Sequence, residues 1–114
     1  MKQGTKSQGT LAPDKFAAHK LPSGAFELYL STDAAEVEVV GHDGKSATAI
    51  EWTSYFARSN ATTYDELVPD LIHLLYSLDD EVALGYKDDS DEEKVAYRSY
   101  VAECKAFAKT LIAK

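Results

Sequence analysis

A chain of 114 residues has the size of one domain, and 45% apolar residues are enough to build a core without metal or disulfide, which excludes a wholly disordered chain. Nineteen Asp and Glu against twelve Lys and Arg leave a net charge of −7, which argues against nucleic acid and anionic membrane surfaces as partners. No apolar run approaches the ~18 residues of a membrane-spanning helix, and the single cysteine, Cys104, supplies neither an internal disulfide nor a Cys-x-x-Cys metal pair.

Residues 1–20 hold Lys2, Lys6, Lys15 and Lys20 against Asp14, a net +3 that leaves −10 for the rest. They are polar, without periodicity, and read as a flexible basic arm ahead of a single domain over 21–114. They also lack the apolar stretch of an export signal, and with the lone cysteine this places the chain in a reducing cytoplasm.

From Ala25 the pattern alternates. Phe26, Leu28 and Leu30 point one way and Tyr29 the other, the period of a half-buried strand. Ser31-Thr32-Asp33 is turn chemistry, and Val37 and Val39 make a second strand with Glu36 and Glu38 outward. Asp43-Gly44 signals a two-residue hairpin. That register sets Val37 opposite Ile50 and Val39 opposite Thr48, puts Trp52 and Phe56 on the inner face, and leaves Tyr29 and Tyr55 outside. A helix over 47–58 would also bring Trp52 and Phe56 together, but the β-branched and aromatic content favours a strand.

Three helices follow. Thr63 and Glu66 have capping-box spacing, though Pro69 also suits the first position of a helix over 69–76. Ser77 caps a short helix to about Tyr86, with Asp79, Asp80 and Glu81 in its first turn. Ser90-Asp91-Glu92-Glu93 opens the longest helix, about 91–113. Its apolar stripe is Tyr97, Tyr100, Val101, Cys104, Phe107, Ala108 and Leu111, and Lys105, Lys109 and Lys114 lie toward its C-terminal end.

The carboxylates from Asp79 to Glu93 suggest a cation site or a phosphate-mimicking surface. Yet the run lacks the glycine of a calcium loop, and helix dipoles account for most of these acids. His19, His42 and His73 have no metal-ligand spacing, so no metal is expected. Cys104 falls on the buried stripe, as a core residue rather than a nucleophile. Asn60-Ala61-Thr62 has the form of a glycosylation sequon, which matters only in an exported chain. Tyr29 and Tyr55 on the outer sheet face, with Asp79, Asp80, Glu81, Asp88 and Asp89, are the candidate partner contacts.

Gly24-Ala25-Phe26-Glu27-Leu28-Tyr29-Leu30, Ala35-Glu36-Val37-Glu38-Val39 and Glu51-Trp52-Thr53-Ser54-Tyr55 together resemble small proteins encoded in bacteriophages and prophages. Tyr76-Ser77-Leu78-Asp79-Asp80-Glu81-Val82-Ala83-Leu84 is similar to a segment of those proteins, and Glu93 to Ala108 resembles their closing helix. The resemblance spans about residues 24–110 and carries no catalytic residue. It implies a context near virion structural genes.

The expectation is therefore an α+β domain: a three-stranded antiparallel meander followed by three helices packed on one sheet face. The expected function is that of a non-enzymatic phage accessory protein acting through protein–protein contacts, in virion assembly, with no cofactor. It would work in the host cytoplasm or on the virion, with a protein partner or a second copy of itself. The alternative is an acidic inhibitor of a host nucleic-acid enzyme.

Overall fold

The computed structural model describes residues 1–112. In chain order the elements are β1 (Thr5–Gly9), β2 (Phe16–Lys20), β3 (Phe26–Val40), β4 (Ser46–Ser59), α1 (Tyr64–Ile72), α2 (Leu78–Gly85) and α3 (Glu92–Leu111). The class is α+β, as the sequence implies, but the sheet has four antiparallel strands in the order β1-β4-β3-β2, not a three-stranded meander.

Two corrections account for the difference. The segment read as a flexible arm supplies both edge strands: Thr5 pairs with Ser54 at one edge, and Phe16 pairs with Leu30 at the other. Residues 10–15 cross between those edges, and Lys15 meets Glu103 of α3 at 2.6 Å on the helix side. Second, Ser31-Thr32-Asp33 does not reverse the chain. Thr32 faces Thr53 and Ala35 faces Glu51, so Asp33 and Ala34 together oppose one residue in a β-bulge, with Asp33 at φ 57°. The two strands expected on either side of that point are one long strand, β3, against one long partner, β4.

The β3–β4 loop corrects the register. Gly41 donates its N–H to the Lys45 carbonyl, and Gly44 sits at φ 77°. The loop is thus His42-Asp43-Gly44, three residues with a glycine in the left-handed region. The extra residue slips the ladder by one, so Val37 faces Ala49 and Val39 faces Ala47. A one-residue slip moves every β4 side chain to the other face. Tyr55, expected outside, pairs with Leu30 and packs against the core, whereas Phe56 pairs with Tyr29 on the outer face. Trp52, two pleats from Phe56, lies on that outer face too, its ring covering the backbone of Gly9. Gly44→Val should cost about 1 kcal/mol or more, because a branched side chain is strained at this φ; Gly44→Asn should be nearly neutral, and urea unfolding of both variants checks the assignment.

The helices cover one sheet face. Leu28 and Leu30 from β3 are fully buried against Leu67 and Leu71 of α1 and Cys104 of α3. In α1 the Thr63 N-cap holds: its Oγ1 accepts the Glu66 N–H at 3.3 Å, while the Glu66 carboxylate accepts the Thr62 and Thr63 hydroxyls, and the helix runs through Pro69. Pro69 removes only the bond to the Asp65 carbonyl, on an exposed side of the helix where water can replace it. The α2 boundaries match expectation, with Ser77 and Asp80 in a reciprocal capping box. In α3 the cap is Asp91 rather than Ser90, accepting the Glu93 N–H at 2.9 Å. Every residue of its expected stripe is buried or half-buried. The helix ends at Leu111, with Ile112 already extended, short of the expected 113; Lys114 lies outside the described residues.

Candidate functional site

The acids expected to form a contact surface do several different jobs. The Asp80 carboxylate accepts the Ser77 N–H at 2.9 Å and lies 3.3 Å from the Met1 amino nitrogen. Hydrogen bonds from Ser77 hold its pKa below the usual carboxylate value. Asp89 meets Lys94 at 3.1 Å and Arg98 at 2.8 Å, and its pKa is lowered by these two partners, Lys94 foremost. Asp79 and Asp88 are exposed and have no side-chain partner among the described residues.

Glu81 is the centre of a three-helix tie that the spacing of histidines does not suggest. One carboxylate oxygen lies 2.5 Å from His73 Nε2, at the C-cap of α1, and the other accepts the Tyr97 hydroxyl of α3 at 2.5 Å. Burial, reinforced by Glu81, pushes the Tyr97 hydroxyl up to about 12. Glu81→Ala should lose about 1–3 kcal/mol by breaking both bonds in a half-buried place, with Glu81→Gln costing less; chemical denaturation of the two variants measures it.

The same helix has a second face. Leu84 points into the core, and Leu78, Val82 and Tyr86, four residues apart, project outward at 69%, 57% and 88% exposure. Four-residue spacing aligns side chains along one helix stripe, so α2 displays an apolar ridge. Val95 of α3 is exposed as well. Asp79 stands at the start of the ridge and Asp88 beyond its end, which makes the rim acidic. The spacing was visible in the sequence, but the acids between these residues hid it.

On the far side of the molecule the sheet's outer face has no helix over it. Tyr29 and Phe56 pack there with ring centroids 5.2 Å apart and exposures of 39% and 54%. Of the tyrosine pair expected on this face the structure keeps Tyr29 and substitutes Phe56 for Tyr55. It does not bring the sheet aromatics and the α2 acids into one site.

Cys104 is fully buried, and burial pushes its thiol up to about 12, so it is protonated and unsuited to nucleophilic attack near neutral pH. Among the described residues no group of three His, Cys, Asp or Glu side chains is placed to hold a metal ion, and no helix is long and apolar enough to cross a membrane. A cavity of about 270 Å³ lies between α2 and α3, bordered by Tyr76, Leu84, Lys87 and Glu93. Its charged groups are engaged with each other, since Lys87 meets Glu93 at 3.3 Å. No protein-family model, curated protein or solved structure matches the chain.

Proposed function

We propose that the protein is a non-enzymatic binding protein that takes a basic, amphipathic segment of a partner protein onto the outer face of α2. The observation that carries this reading is the ridge of Leu78, Val82 and Tyr86, exposed on a helix whose opposite side is already seated in the core. Large side chains held in solvent by a well-capped helix cost solubility unless something covers them. A few such anchors supply most of the energy of an interface, while the charges around them set the rate and choice of partner. Asp79 and Asp88, without a side-chain partner among the described residues, favour a positively charged segment.

The residues with chemical potential are occupied structurally: Cys104 is protonated in the core, and His73 is tied to Glu81. The likeness of residues 24–110 to phage and prophage proteins supports a setting in virion assembly, in the host cytoplasm or on the particle itself.

The test is affinity capture from phage-infected or prophage-bearing cells, with mass spectrometry, comparing the natural chain with a Leu78→Ser, Val82→Ser, Tyr86→Ser variant. A partner retained by the natural chain should fall about tenfold or more with the variant, a hot-spot effect, and its bound segment should carry net positive charge. Equal capture by both chains overturns the proposal.

A further inference from the structure

The sheet has a charge asymmetry that its own contacts do not use. β2 pairs only with Phe26–Leu30 of β3, and β1 reaches along β4 only as far as Ile50. Beyond the Glu36–Ile50 pair, residues 37–40 and 46–49 pair only with each other, as a two-stranded ribbon projecting from the body. Such a ribbon is marginal alone in water. With Glu36 at its base, it carries Glu38 and Asp43 against Lys45, and neither glutamate has an ion pair among the described residues. The β2 edge carries His19 and Lys20, and Lys20 has no ion pair either.

The backbone groups at these edges can be assigned by alternation. Ser31 donates to the Lys15 carbonyl and Leu21 to the Ala25 carbonyl, so the odd residues of β2 bond to β3. Phe16, Ala18 and Lys20 therefore turn their N–H and C=O groups outward. Gly41 donates to Lys45, so Val37 and Val39 bond to β4, while Glu36, Glu38 and Val40 turn theirs outward.

We propose that these two edges belong together in different copies of the chain: the β3 edge of one ribbon adds, antiparallel, to the β2 edge of the next copy. The outward groups match when Glu36 faces Lys20, Glu38 faces Ala18 and Val40 faces Phe16. That register pairs a carboxylate with an ammonium and gives Val40, 72% exposed in the single chain, an apolar neighbour. The competing edges fit less well. Against β1, setting Glu38 on Lys6 leaves Val40 facing Gly4. Two β3 edges in full overlap put Glu38 opposite Glu38. The contact joins two different surfaces, so it builds a head-to-tail ring or filament rather than a two-fold dimer. It does not depend on what α2 binds.

The experiment uses sedimentation of the full chain at about 100 µM in low salt, where charge pairing is least screened. The natural chain should run at more than twice its 12.5 kDa and dissociate in high salt. Glu36→Lys and Lys20→Glu should each yield monomers, and the double variant should reassemble. Ala18→Pro and Glu38→Pro remove outward N–H groups only, so each should fold, as circular dichroism checks, and remain monomeric. An equal mixture of these two has one intact edge of each kind and should give a heterodimer and nothing larger. A natural chain that stays monomeric overturns the proposal. So does an oligomer that Lys20→Glu leaves intact, or one that Lys6→Glu dissociates while Lys20→Glu does not.

Discussion

Stability should fall steeply above pH 9, because the core holds two acidic protons that the unfolded chain releases. Cys104 is raised from 9.0 to about 12, and the Tyr100 hydroxyl is raised well above its ordinary 10.0, burial being the largest cause for both. In each case the folded state keeps a proton that the unfolded state loses. The stabilisation is complete below the unfolded values and declines as pH rises through the folded ones. Each retained proton is worth about 1.4 kcal/mol per pH unit in that window. Allowing for water near the polar atoms, about 1–2 kcal/mol per pH unit is expected from the pair together. Urea unfolding at pH 8 and pH 11 measures it, and Cys104→Ala should flatten the slope. Thiol reagents should label Cys104 slowly in the native protein and rapidly once it unfolds. Equal stability at the two pH values would show that the core is open to water.

Leu28→Ala should be among the most damaging single changes, with a loss of about 2–5 kcal/mol. Leu28 is fully buried near the start of β3, in one cluster with Leu67, Leu71 and Cys104. Tyr100→Phe removes only the hydroxyl that donates to the Leu71 carbonyl at 2.7 Å. That carbonyl still accepts the Leu74 N–H at 3.2 Å, so about 1–2 kcal/mol is expected. Thermal or urea melts of the two variants should separate clearly; similar losses would place the core's strength in its hydrogen bonds rather than in its packing.

The helical half was legible because caps and stripes are local. Ser77 and Asp80, or Tyr97 through Leu111, declare themselves within a few turns of chain. The sheet was legible only in part. β1 reads Thr-Lys-Ser-Gln-Gly, with no apolar side to alternate, since an edge strand held by backbone bonds and the Ser7–Ser54 hydroxyl contact needs none. The bulge at Asp33 and the three-residue loop at Gly44 are each a matter of one residue, yet the loop alone exchanges Tyr55 for Phe56 on the outer face. Periodicity gives the faces of a strand; the count of residues in its turn decides which face is which. The α2 ridge is masked in the sequence for another reason: Asp79, Asp80 and Glu81 stand between Leu78 and Val82, so the segment reads first as an acidic helix start.

The path of residues 10–15 has a consequence for how the molecule comes together. β3, β4 and the helices can close on one another through neighbours in the chain, beginning with a hairpin loop of three residues. β2 can join them, since residues 21–25 turn it straight onto β3, but residues 1–15 cannot; Thr5 must find Ser54, and Lys15 must find Glu103. Closing spans of that length costs more entropy and comes later. Residues 1–15 therefore dock last. They then clasp the finished body: the Lys2 N–H bonds the Leu75 carbonyl, β1 lies along β4, and Lys15 reaches Glu103 near the opposite edge. The segment that looks like a loose tail in the sequence is the fastening that joins the sheet to its helices.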